Sequence, residues 1–153
     1  MEEVTLHIAE LPDIPPRILY EILRLRVDVF VVEQEAAYPD LDGLDTVAGT
    51  ELHWAQRGEQ VLATLRLMHG TARPELQIGR VVAARSARGT GIAATLMEQA
   101  MQRCAELSPN SPVILNAQEP LTGWYGRFGF VPSGERYLED GIPHIPMTAG
   151  RAA

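Results

Sequence analysis

Lysine is absent from this 153-residue chain, whose thirteen basic side chains are all arginine. A P-loop, Gly-x-x-x-x-Gly-Lys-Ser/Thr, needs that lysine against phosphate and is therefore excluded. Any acetylation of the chain itself would have to fall on its amino terminus or a hydroxyl. Cysteine occurs once, as Cys104, so neither an intramolecular disulfide nor a cysteine-based metal cage can form. Cys104 lies on an apolar helical stripe and reads as a core filler, which disfavours an acyl-cysteine mechanism. No stretch approaches the ~18 apolar residues of a membrane span. Met1-Glu2-Glu3 lacks the basic start and apolar core of a signal peptide, and the expected location is cytoplasmic, without a membrane partner. Positive charge is also scarce: a formal net charge of −7 argues against nucleic-acid binding, which needs a basic face. No internal repeat or low-complexity segment is present.

What is present is a globular composition, 46% hydrophobic and 22% charged. The length fits one domain, residues 1–153, burying about two thirds of the surface that the unfolded chain exposes. Its most informative segment is Arg88-Gly89-Thr90-Gly91-Ile92-Ala93, which runs into an amphipathic stretch from Ala94 to Leu107. Ile92, Leu96, Ala100, Met101, Cys104 and Leu107 make one apolar stripe, and Glu98, Gln99, Gln102, Arg103 and Glu106 fill much of the opposite face. Before the glycines, Leu76 to Ala84 reads as a buried strand. Strand, Gly-rich turn and helix together place unpaired amides at a helix start, where an anion is favoured. Gly-x-Gly-x-x-Gly fails because Ala94 stands at its third glycine, and the strand lies too late in the chain for a dinucleotide fold. An ordinary strand-to-helix connection is the alternative; among ligands, the surviving class is a pyrophosphate held without Lys or a metal. Arg80, Arg85 and Arg88 cluster around it and supply local attraction.

Elsewhere, Val4 to Ala9 alternates like a strand, and Pro15-Pro16 marks entry to a helix running to about Val32, with Ile18, Ile22, Leu25 and Val29 along one side. Thr50 to Ala55 and Val61 to Met68 read as a hairpin around Gly58. Pro112 to Ala117 gives a strand, Leu121 to Phe128 a short helix, and the tail from Phe130 two more strands. The mixed order implies α/β or α+β architecture, with a curved central sheet and helices on both faces.

The sequence resembles the GCN5-related N-acetyltransferases (GNAT), whose pyrophosphate signature, Gln/Arg-x-x-Gly-x-Gly/Ala, is met by Arg88, Gly91 and Ala93. Trp124-Tyr125-Gly126-Arg127-Phe128-Gly129-Phe130 is similar to the family's Tyr-x-x-x-Gly-Phe segment, at the spacing expected from the first motif. Arg26-Val27-Asp28-Val29-Phe30-Val31-Val32-Glu33-Gln34 and Asp140-Gly141-Ile142-Pro143-His144-Ile145 resemble the ElaA branch. The likeness covers roughly residues 15 to 149. It implies a mixed sheet of about six to seven strands with splayed fourth and fifth strands. It also implies acetyl-CoA as co-substrate, no metal, and a primary amine, free or on a peptide, as acceptor. A homodimer is one option for assembly.

On that resemblance the pyrophosphate lies on the amides of Gly89, Thr90, Gly91, Ile92, Ala93 and Ala94 beside Arg88. The pantetheine arm follows Val81, Val82 and Ala83, facing Asn116 and Gln118. Attack on the thioester needs a neutral amine, yet an ε-amino group of pKa about 10.4 is protonated at neutral pH. Many relatives place a carboxylate on the fourth strand to take that proton; Leu76-Gln77-Ile78-Gly79-Arg80-Val81-Val82 has none. Glu33, His53 and His144 are the candidate bases, although each histidine could instead be a hydrogen-bonded structural residue. Tyr125 matches the family's general acid, with a covering aromatic beside Trp124, Phe128 and Phe130 as its alternative role.

Leu19, Leu23, Arg26, Phe30 and Glu33 share one face of a regular helix, with Arg26 and Glu33 two turns, roughly 10 Å, apart. Arg26, Phe30 and Glu33 are therefore candidate acceptor-binding residues; the alternative is that Arg26 and Glu33 pair with other elements. The turn Asp40-Leu41-Asp42-Gly43-Leu44-Asp45 fails as a calcium loop, because Asp45 stands where glycine is required and Leu44 where an oxygen ligand is. Asx-turn chemistry is expected there, with its negative charge favouring cationic amines. Two other functions stay open: a non-catalytic CoA-binding regulatory protein, and a nucleotide-binding enzyme of another class.

Overall fold

Among the described residues, apolar runs and alternations fold into eight strands: β1 (Val4–Glu10), β2 (Thr50–Arg57), β3 (Gln60–Met68), β4 (Leu76–Ala83), β5 (Val113–Gln118), β6 (Val131–Pro132), β7 (Tyr137–Glu139) and β8 (Ile142–Ala149). A computed structural model describes residues 2–69 and 74–150; both ends of the expected 1–153 domain lie outside the described residues. The strands make one sheet in the order β1-β2-β3-β4-β5-β8-β6, with β7 also on β8. The tail thus holds three strands where two were expected, because β6 is only two residues long and carries no readable alternation. No helix among the described residues is long and apolar enough to cross a membrane.

Helices cover both faces. Ile18 and Ile22 of α1 (Pro16–Arg26), with Ile14 just before it, pack on Leu52, Trp54 and Val61. On the other face, Leu96, Met97, Ala100 and Cys104 of α2 (Ile92–Leu107) pack on Ala63, Leu65, Leu67, Ile78 and Leu115. Strand side chains alternate between faces, so neighbouring residues of β2 serve different cores. The short α3 (Thr122–Gly126) adds Tyr125 to the α2 side.

The first helix does not continue regularly to Val32. Beyond Arg26 the backbone winds as a π-helix over Val27–Glu33, with i to i+5 bonds from Gln34 N to Val29 O at 3.0 Å and from Ala36 N to Val31 O at 3.1 Å. The wider turn rotates Glu33 away from the direction of Arg26, so the shared face inferred from helical spacing is lost.

Arg26, 1% exposed, turns inward instead. Its Nη1 donates to Asp45 at 2.7 Å and its Nε to Asp40 at 3.0 Å. Arg66 of β3 donates to both Asp42 oxygens at 2.9 and 3.0 Å, and Arg80 of β4 lies 2.8 Å from Asp40. Asp42 also accepts Leu44 N at 3.0 Å, the expected Asx turn. The aspartates of this loop are therefore neutralised from within, and the loop offers no free negative charge to an acceptor. Arg80, expected beside the anion site, is committed to the same network.

Glu51 clamps α2 to the sheet: Arg103 donates to it at 2.6 Å and His53 at 3.0 Å. Burial alone would raise this carboxyl, but the bonds from His53 and Arg103, with the arginine's charge, outweigh it and bring its pKa to about 2.

Two outcomes are expected. Asp45→Ala leaves Arg26 and Arg66 undercompensated in the interior, and urea denaturation should show a loss of about 3–5 kcal/mol; a loss below about 1 kcal/mol would refute the network's structural role. Because Glu51 is depressed, its contribution is full above the unfolded pKa of about 4.3 and disappears as pH falls toward 2. Stability measured between pH 5 and 2 should fall less steeply in Glu51→Gln than in the parent, and parallel slopes would contradict the assignment.

Candidate active site

The central event of the sheet is that β4 and β5 part. They pair in parallel at Leu76 with Val113 and Gln77 with Ile114, and no further ladder pairing joins them among the described residues. Beyond that point β4 keeps β3 as partner and β5 keeps β8, so each is held on its outer side while their facing edges open. On β4, the register slips by one residue opposite Thr64 and Arg66, and Arg80 takes a left-handed φ of +53°. Such a bulge bends the strand and re-aims its backbone, and the salt bridges of Arg80 to Asp40 and Asp42 hold the strained residue in place.

A cleft of about 440 Å³ fills the gap. Of the residues singled out from sequence, Phe30, Glu33, Val81, Val82, Ala83, Arg88, Asn116, Gln118, Tyr125 and His144 line it. Next to it, Gly89 and Gly91 adopt φ of +78° and +84°, a turn that β-carbons would strain. Gly91 caps α2 without a side-chain bond, and the first backbone bond into the helix is Thr95 N to Gly91 O at 3.0 Å. The amides of Ile92, Ala93 and Ala94 thus have no intrahelical acceptor and stand at the positive end of a four-turn helix.

Two assignments are corrected. Arg26 does not bind an acceptor from the cleft: its guanidinium is spent on Asp40 and Asp45, the second of the two roles that its sequence position allowed. His53 is not a base at this site: it is fully buried on the α2 face of β2, bonded to Glu51, and is not among the residues lining the cleft.

Glu33 reaches the cleft but is engaged. Arg88 Nη1 and Nη2 donate to its two oxygens at 2.9 Å each, and Arg85 lies 3.4 Å away. The hydrogen bonds from Arg88 hold its carboxyl below the ordinary value, so it is a weaker base than a free glutamate. Arg88 Nε also donates to Ala83 O at 3.3 Å, which lays the side chain across the end of β4. The next residue, Gln34, exchanges reciprocal amide bonds with Gln118 at 3.1 and 3.2 Å. The end of the π-helix is therefore tied across the cleft twice.

Tyr125 is 7% exposed, edge-on to Trp124 and Phe130. Burial alone pushes its phenol far above the usual tyrosine value, so it stays protonated throughout the neutral range. It packs on the core, the covering role that sequence offered as the alternative, and also borders the cleft. Sequence reasoning missed Tyr38, Gln34 and Glu139, which also line the cleft. Tyr38 stacks under Arg80 at 5.5 Å, and its phenol rises to about 12 through burial and the neighbouring Asp40. All three sit at or near loops, where no periodic pattern announces a partner.

Comparison with known proteins agrees with this geometry. Residues 28–150 match the family described as Acetyltransferase (GNAT) domain. A UPF0039 protein of Mycobacterium tuberculosis is 44% identical over 140 residues, 88% of this chain and 86% of that protein. Protein ElaA of Escherichia coli is 38% identical over 130 residues, 84% of this chain and 85% of ElaA. The ElaA crystal structure superposes with a TM-score of 0.90 at 33% identity, covering 98% of this chain and 100% of the other. An acyl-CoA N-acyltransferase from Pseudomonas aeruginosa gives a TM-score of 0.90 at 44% identity, again over 98% and 100% of the two chains. The chain thus belongs to the GNAT acetyltransferase family, as an ElaA-like member with the fold of an N-acyltransferase.

Proposed function

We propose that the protein transfers an acetyl group from acetyl-CoA to a primary amine, on a small molecule or a peptide, by direct attack. Its expected setting is the cytoplasm. The observation that carries this reading is the opening between β4 and β5 beside the start of α2, where the glycine N-cap supplies no side-chain bond, with Tyr125 in the same cleft. The family match and the Pseudomonas aeruginosa acyl-CoA N-acyltransferase support the same donor class.

The residues present fit such a donor. In this reading the amides from Gly89 to Ala94 take the diphosphate, as a helix start does without metal or lysine. The free edge of Val81, Val82 and Ala83 pairs with the pantetheine arm, and Asn116 and Gln118 face it from β5. Acyl-CoA supplies an acyl group activated as a thioester. As the nitrogen–carbon bond forms and the carbon–sulfur bond breaks, Tyr125 gives its phenolic proton to the departing sulfur and recovers one shed by the new amide nitrogen.

A second reading, CoA binding without turnover, draws on two observations: β4 carries no carboxylate, and Glu33 is tied to Arg88. Thiol release separates the two. CoA binding with no amine-stimulated release from acetyl-CoA would favour the regulatory protein.

Two further outcomes follow. Tyr125→Phe should lower kcat by about 10²–10⁴ while calorimetric CoA affinity stays within about threefold; equal losses in both would reject the acid role. Glu33 competes with a diphosphate for Arg88, so Glu33→Gln should tighten CoA binding by about two- to fivefold, the worth of a partly exposed ion pair. Weaker binding in that variant would show that Glu33 orients Arg88 for the ligand instead.

A further inference from the structure

We infer that His144 is the general base that deprotonates the acceptor ammonium, with Glu139 as its positioning residue; this rests on the acyl-transfer reading above. The hydrogen-bond pattern fixes the ring. Nδ1 lies 2.8 Å from the backbone carbonyl of Ile142, which can only accept, so Nδ1 carries the hydrogen. In the neutral ring Nε2 therefore holds the lone pair, and a base needs that tautomer. Nε2 lies 3.5 Å from Glu139 Oε2, a carboxylate placed to stabilise the imidazolium once a proton arrives.

Packing holds the ring at the site. His144 is paired on one side with Gln118 of β5 and on the other with Tyr137 of β7. Its ring stacks on Tyr137 with centroids 5.8 Å apart and planes inclined by 29°. At 8% exposure it is almost out of water, yet it borders the cleft that Tyr125 also borders. The groups facing it are Glu139 and Tyr137 from β7 and the neutral Gln118 from β5. Other charged residues lining the cleft are Glu33, Asp42, Arg66, Arg80, Arg88 and Asp140. Glu33 is engaged by Arg88 and His53 lies on the far side of β2, so of the three sequence candidates His144 alone borders the cleft without an arginine on it.

The proton balance closes. One proton leaves the ammonium for Nε2 and passes to solvent past Glu139, whose side chain is 55% exposed. The neutral amine then forms its bond to the acyl carbon. The second proton shed by nitrogen restores the phenol of Tyr125, whose own proton has gone to the thiol.

The test compares parent, His144→Gln and Glu139→Gln with two amines, one strongly basic and one whose conjugate acid has a pKa near 7. His144→Gln should lower kcat/KM for the strongly basic amine by about 10²–10⁴ at neutral pH, while the weakly basic amine, already half neutral, loses under about tenfold. Equal losses for both amines would overturn the assignment. Glu139→Gln, at the exposed end of β7, removes the carboxylate beside Nε2, so kcat/KM should fall more for the strongly basic amine than for the weakly basic one; equal losses would count against the pair. Nitrogen-15 NMR of the uncomplexed parent should show Nδ1 protonated and Nε2 bare above the imidazole's titration, and the opposite tautomer would sink the proposal without any assay. If the parent binds CoA but no amine stimulates thiol release, the acyl-transfer reading itself fails, a result distinct from a poor choice of base.

Discussion

The internal neutralisation of Arg26, Arg66 and Arg80 by Asp40, Asp42 and Asp45 underlies one whole wall of the cleft. These side chains come from the end of α1, from β3, from the β4 bulge and from the loop that follows the π-helix. Each arginine presents several donors in a fixed plane, so the aspartates are held in direction as well as in charge. Without them the loop would leave Tyr38 and Asp42 unanchored at the cleft. Arg80 would also lose the contacts that offset its left-handed backbone. Stability here comes with desolvation, so the network contributes specificity of arrangement more than net free energy.

Once that network is set aside as neutral, the remaining charges divide the cleft. Among the described residues, Arg85 and Arg88 share Glu33 as their acidic partner, which leaves an excess of positive charge beside the helix start. At the other end, Glu139 and Asp140 line the cleft beside His144. A net charge of −7 for the chain would repel an anionic donor, and this division answers the difficulty locally. On the proposed reading, a donor anchored by its phosphates at the helix start would present its far end to the cleft that His144 and Tyr125 border.

Much of this was legible in the sequence because it obeys a period or a backbone rule. The stripe of Leu96, Ala100 and Cys104 is the buried side of α2, and Gly89 and Gly91 have the positive φ that a tight turn before a helix demands. Arg26 shows where such reasoning stops. Its partners lie 14 and 19 residues further on, in a loop without periodicity, and nothing local distinguishes a guanidinium facing aspartates from one facing a ligand. The π-helix is a similar case. Helical spacing placed Arg26 and Glu33 on one face, but the inward pull on Arg26 and the cross-cleft ties of Glu33 and Gln34 coincide with a segment wound by an i to i+5 pattern instead. The strand opening was expected from the family resemblance, whereas the readiness of His144 depends on a carbonyl two residues away and could only be seen in three dimensions.

The absence of lysine now has a structural meaning. Arg26, Arg66, Arg80, Arg88 and Arg103 each engage carboxylates through more than one nitrogen, and Arg26 also donates to the backbone carbonyl of Asp40. A lysine ammonium carries three donors, but on one point charge at the end of a flexible stem, so it cannot hold both oxygens of a carboxylate with two parallel bonds in a fixed plane. At the buried positions of Arg26 and Arg66, that loss would be felt as an incompletely paired charge in the interior. At Arg88 the consequence differs. The fork that grips both oxygens of Glu33 is also suited to two oxygens of a diphosphate, so one geometry serves the resting contact and the proposed ligand, and exchange between them needs no rebuilding of the site.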